Sequence, residues 1–140
     1  LGDVYKRQEK ALAALRPQCR GELICIVGCG GDRDRGKRAQ MGRAAAKGSD
    51  RVWFTSDNPR SEDPERILAD MARGLELPNS QRVRSEVNRA EAIAVALQSA
   101  DPDDILLIAG KGHEQTQEIN GEFIPFSDFT VVHDIQGENN

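Results

Sequence analysis

Several protein classes are excluded by what the sequence lacks. No apolar run approaches the roughly 20 residues that a helix needs to cross a bilayer. No charged-then-apolar leader resembles a secretory signal. The expectation is therefore a cytoplasmic chain that does not engage a membrane. There is no excess of positive charge: 19 Lys and Arg face 23 Asp and Glu, for a net charge of −4. A nucleic-acid binder normally presents a basic face to the phosphate backbone, so that partner class is not expected.

Cysteine is sparse and unpaired in number, with Cys19, Cys25 and Cys29 alone. No C-x-x-C spacing occurs, both histidines are distant in sequence, and Cys25 falls inside a predicted buried strand. Reduced thiols are expected, with neither disulfide nor metal site. Two nucleotide signatures are also missing. No G-x-x-x-x-G-K-[ST] loop occurs, and Gly28-x-Gly30 lacks the third glycine of a dinucleotide loop, since Arg33 stands there.

What is present fits one domain: 140 residues, 38% hydrophobic and 30% charged. Leu1 to Gln8 shows no period and is set aside as an unassigned leader or scar (1–8). The domain is expected over 9–136, with a frayed tail at 137–140. Glu9 to Leu15 reads as a short helix ending near Arg16-Pro17, because proline disfavours helix in the residue before it. Leu23 to Val27 (LICIV) is a continuous apolar run, as buried parallel strands are. Lys37 to Lys47 is helical, with Met41, Ala44 and Ala45 on one face and Gly48 as the stop.

Arg51 to Thr55 (RVWFT) is a second strand. Asp63 and Pro64 form a helix start, as N-cap and first helical residue, and that helix runs to about Arg73. Gln81 to Ser85 is a weaker strand. Arg89 to Ala100 is a helix with Ala92, Ile93, Ala96 and Leu97 at helical spacing. Ile105 to Ala109 (ILLIA) has the character of the most buried, central strand. Glu118 to Phe126 forms a hairpin about Asn120-Gly121, and Thr130 to Ile135 a last short helix. Alternating strand and helix define an α/β, Rossmann-like fold. A mostly parallel sheet should carry helices on both faces, with a C-terminal β-hairpin.

Three polar clusters follow three predicted strands, where open α/β sheets bind ligands. The first is Gly28 to Arg38 (GCGGDRDRGKR). Its residues fit a solvated turn as well as a ligand cradle. The second is Thr55 to Arg60 (TSDNPR). It can be a loop before a helix cap, yet it sets both charge signs and an amide at one strand end. The third is Gly110 to Glu114 (GKGHE), in which two glycines expose backbone N–H groups around Lys111. His113 fits a hydrogen-bonding structural role better than that of a base. Brought to one rim, Arg33, Asp57, Asn58, Arg60, Gly110 and Glu114 suit a small zwitterion. Arginine binds carboxylate through two parallel hydrogen bonds, and the acids bind ammonium groups.

These stretches, with NRAEAI and IPFSD, closely resemble the third domain of Mur ligases, in the branch that adds diaminopimelate. The resemblance runs from about Ala11 to Asp128. It implies a parent enzyme that uses ATP and Mg to activate a carboxylate of the UDP-N-acetylmuramoyl dipeptide as an acyl phosphate. The amine of meso-diaminopimelate then attacks. It further implies ligand contacts at Arg33, Asp57, Asn58, Pro59, Arg60, Gly110 and Glu114, with Lys111 and His113 in support. D-N-P-R marks selection of meso-diaminopimelate in that family, with Arg60 on the distal carboxylate.

The family's phosphate loop, magnesium ligands and carbamylated lysine belong to a central domain. A D-Y-A-H-T-P-D segment is also expected before the first helix, where Leu1 to Gln8 stands instead. The chain is therefore expected to be a monomeric fragment that binds amino acid, holds no cofactor itself, carries no catalytic residue and is inactive alone. The competing expectation is a stand-alone α/β module that binds another small anion or nucleotide without chemistry. A folded piece with no ligand is a third.

Overall fold

The computed structural model describes residues 4–31, 35–75, 82–109, 116–119, 122–125 and 132. The chain opens with helix α1 (Val4–Leu15), which closes in a 3-10 turn (Arg16–Gln18) at Pro17, as expected. The helix starts five residues earlier than the sequence suggests, and Gln8, within that extension, makes a tertiary contact. It is buried, and its Nε2 donates to Met41 O at 3.3 Å.

Strand β1 (Leu23–Cys29) leads to α2 (Gly36–Gly48), β2 (Arg51–Ser56), α3 (Pro64–Ala72), β3 (Val83–Ser85), α4 (Arg89–Ser99) and β4 (Ile105–Ala109). A separate antiparallel hairpin joins β5 (Thr116–Ile119) to β6 (Glu122–Pro125), with Ile119 opposite Glu122. The turn expected at Asn120-Gly121 lies outside the described residues. Of the expected last helix only Val132 is described, and it is helical.

The four-stranded sheet has the order β3-β2-β1-β4, every pairing parallel. The period-two rule of strands sorts its side chains into two clusters. Leu23, Cys25, Val27, Val52, Phe54, Ile105 and Leu107 face Leu12 of α1, Met41 and Ala45 of α2, and Ile67, Leu68 and Met71 of α3. Ile26, Trp53, Leu106 and Ile108 face Ile93 and Ala96 of α4. Helices thus cover both faces, and each fully buried aliphatic or aromatic side chain contributes about 1.5–3 kcal/mol.

Two strand expectations change. The central strand is β1, buried almost throughout, whereas β4 is only partly buried and is an edge strand among the described residues. An apolar run shows that both faces are covered, not which neighbours flank the strand. β1 also runs two residues further than expected, through Gly28 and Cys29. There its backbone closes on β2: a side chain at Gly28 would fall 2.7 Å from Thr55 O and 2.8 Å from Asp57 N.

The helix starts follow local chemistry. Asp63 caps α3, accepting from the Glu65 N–H at 3.0 Å, with Pro64 at the first position. Asn88 caps α4, accepting from the Glu91 N–H at 3.0 Å.

Candidate functional site at the strand carboxyl ends

The chain steps from β1 to β2 to β3 in one direction and then returns to lay β4 on the other side of β1. That reversal marks the carboxyl ends of β1 and β4 as the point where ligands of open α/β sheets bind. Residues 57–60 and the described start of the first loop meet beside it.

The contact centres on Gly31. Its N–H donates to Asn58 O at 2.7 Å. A side chain at Gly31 would strike Pro59 O, so only glycine lets the two loops touch. Arg60 then closes the loop. It adopts φ 53, the left-handed region that few non-glycine residues enter. This conformation returns the guanidinium over the first loop, where Nη1 donates to Gly31 O at 2.9 Å and Asn58 O at 3.4 Å. Strain of this kind costs on the order of 1–3 kcal/mol and persists where the surroundings enforce it, commonly at ligand sites. Asn58, Pro59 and Arg60 are thus a single structural unit with Gly31, and Asp57 begins it at the end of β2. Arg33, Gly110, Lys111, His113 and Glu114 lie outside the described residues.

Two buried arginines that sequence reasoning did not single out hold this rim. Arg38 on α2 is 1% exposed. It forms a bidentate pair with half-buried Glu62, from Nη1 at 2.6 Å and Nη2 at 2.8 Å. Nη1 also reaches Asp70 Oδ2 at 2.9 Å, and Nη2 donates to Gly30 O at 3.2 Å. One side chain thereby joins the first loop, the start of α3 and the body of α3. Asp70 is itself 3% exposed and also pairs with Arg35 at 3.1 Å and Arg73 at 3.0 Å. Arg35 and then Arg38 hold its carboxyl below the ordinary range, against the opposing effect of burial. The Glu62 hydrogen bond, with Asp70 adding to it, holds the Arg38 guanidinium above its ordinary value.

Arg89, the first residue of α4, is also 1% exposed. Nη1 donates to Ser56 O at 3.0 Å and Nη2 to Ala109 O at 3.2 Å. These carbonyls end β2 and β4, the two strands that flank β1.

The signal that could have found both arginines is their helical spacing. Arg38 precedes buried Met41, Gly42 and Ala45, and Arg89 precedes buried Ala92, Ile93 and Ala96. Each arginine therefore lies on the inward face, one turn before the apolar stripe. In a strand–helix unit the first helical turn sits at the carboxyl edge of the sheet.

The rim also holds neutral groups. The Cys29 thiol is pushed up to about 12, chiefly by burial, with Arg38 opposing and Asp57 adding to the effect. It stays protonated at neutral pH and so is a poor nucleophile. Burial alone pushes Cys25 up to about 12. The hydroxyls of Thr55 and Ser56 are buried and find no hydrogen-bond partner among the described residues.

A parallel sheet covered on both faces, with polar loops interlocked at one strand rim, is the architecture of an α/β ligand-binding domain. Residues 6–112 match the family described as Mur ligase, glutamate ligase domain, and the chain belongs to that family. It is 52% identical, over 86% of its length, to the UDP-N-acetylmuramoyl-L-alanyl-D-glutamate–2,6-diaminopimelate ligase of Coxiella burnetii. To the protein of that name from Vibrio cholerae it is 54% identical over 86%. A solved structure of a ligase with this name superposes with a TM-score of 0.92 at 42% identity, covering 98% of the chain. The chain spans about a quarter of these proteins: 24% of each relative and 28% of the solved chain.

Proposed function

We propose that the chain is the amino-acid-holding domain of an ATP-dependent ligase that joins meso-diaminopimelate to UDP-N-acetylmuramoyl-L-Ala-D-Glu. The observation that carries this reading is the interlock of Asn58, Pro59 and Arg60 with Gly31. It fixes a guanidinium on a rim shared by two loops. Arg60 takes the distal carboxylate of diaminopimelate, the group that lysine lacks. Arg33, Asp57, Asn58, Gly110 and Glu114 complete the cradle, with Lys111 and His113 in support. The domain holds the amino acid so that its free amine faces an activated acyl carbon. The nitrogen–carbon bond forms as phosphate leaves and the amine loses a proton.

Among the described residues no group of His, Cys, Asp or Glu could hold a metal ion. No described helix is long and apolar enough to cross a membrane. The likeness to diaminopimelate ligases, of which the chain spans about a quarter, supports assigning ATP and magnesium to other domains of the parent enzyme, and its substrates support a cytoplasmic setting. The identities to diaminopimelate ligases favour this reading over a stand-alone module for another anion.

The test uses a full-length ligase whose corresponding segment is replaced by this chain. Arg60→Ala should raise KM for diaminopimelate roughly 30-fold or more, the cost of removing one partner of a desolvated charge pair. KM for ATP should not change. An unchanged KM for diaminopimelate would overturn the assignment.

A further inference from the structure

We infer that Arg89 is a positioning residue for this amino-acid site, setting the distance between the carboxyl ends of β2 and β4 without touching the ligand. The inference rests on the reading above. Its geometry is independent of that reading.

Ser56 immediately precedes the 57–60 loop, and Ala109 immediately precedes the Gly110–Glu114 segment. Both carbonyls are gripped by one planar group, at 3.0 and 3.2 Å. A guanidinium cannot lengthen between its two terminal nitrogens, so the ends of β2 and β4 are held at one spacing. The other end of the strut is equally fixed. Arg89 follows the N-cap Asn88, and α4 is anchored through Ala92, Ile93 and Ala96, each 0% exposed. A merely space-filling role would be met more cheaply by a long apolar residue, because burying a guanidinium is costly. What arginine adds is a fork, and a lysine of similar length can bind only as a point charge.

The cradle must bind both ends of one extended amino acid, so the spacing of the strand ends that carry it is a specificity term. A misplacement of about 1 Å at a remote support can lower activity on the order of a hundredfold.

The experiment pairs two measurements on Arg89→Lys, with Arg89→Gln as a second variant that keeps a single, uncharged donor nitrogen. In the 140-residue chain, amide hydrogen exchange should quicken roughly tenfold at Gly31 and Glu62, the equivalent of one lost hydrogen bond to a charged group. The Gly31 and Glu62 N–H groups bond to Asn58 O and Pro59 O, so they report on the second loop. Exchange at Ile26, in the middle of β1, should stay as it was. In the full-length ligase carrying this chain, KM for diaminopimelate should rise about tenfold while kcat and KM for ATP stay near their starting values.

Uniformly faster exchange, including Ile26, in both variants would overturn the proposal by making Arg89 a general stabiliser. So would an unchanged KM for diaminopimelate where Arg60→Ala raises it. If Arg60→Ala also leaves that KM unchanged, the amino-acid reading itself fails, whatever exchange shows.

Discussion

The two seams of the rim are both built on a buried arginine, yet they differ in kind. At the first, Arg38 meets carboxylates, Glu62 and Asp70, and joins the β1 loop to α3. At the second, the described partners of Arg89 are main-chain carbonyls, which join the ends of β2 and β4. The first seam is a charge network, and its strength depends on every member staying ionised. At Ser56 O and Ala109 O the second uses acceptors that no pH change removes. The comparison sets a network of ionised side chains beside a clamp on main-chain carbonyls.

The largest expected effect breaks the first seam. Arg38→Met should cost about 3 kcal/mol in denaturant unfolding, because Glu62 and Asp70 lose a buried partner. The value lies at the low end of the usual range because Arg35 and Arg73 remain on Asp70. A cost under about 1 kcal/mol would show that the network is a surface decoration.

Acid sharpens the comparison next. The Asp70 carboxyl is depressed in the folded state, so its contribution is complete above the ordinary carboxylate value near 3.9 and is lost as pH falls through the depressed one. Below about pH 4, exchange at Arg38-linked amides of α2 and α3 should quicken before that at the start of α4. Simultaneous loosening of both seams would erase the distinction. The smallest effect concerns the helices that carry each seam. Asp63→Ala and Asn88→Ala should each cost about 1 kcal/mol by thermal or chemical unfolding. If Asn88→Ala alone also raised KM for diaminopimelate in the full-length ligase, the Arg89 strut would gain a second support.

The fold was legible because local rules and tertiary packing agree here. LICIV and ILLIA are strands, Asp63-Pro64 starts a helix, and Met41, Ala44 and Ala45 are buried as their spacing requires. Strand order was not legible, because β1 and β4 have the same apolar character, and only pairing shows which is flanked on both sides. Leu1 to Gln8 carries no apolar period, whereas Gln8 is fixed by a polar contact that no period reveals.

At the site, Asp57 to Arg60 stood out by residue type. The left-handed turn at Arg60 did not, because arginine carries no signature for it. Arg38 and Arg89 were hidden by their charge: an arginine on an inward helical face is easily read as a surface residue.

The most direct test is a nitrogen-15 NMR titration of the 140-residue chain with meso-diaminopimelate and, separately, with L-lysine. Weak binding suffices, since shifts report at millimolar ligand. The account predicts that diaminopimelate moves the Gly31 and 57–60 amides and the Arg60 side-chain signal, and that lysine at equal concentration barely does. Equal shifts from both amino acids, or shifts confined to the opposite ends of the strands, would contradict it.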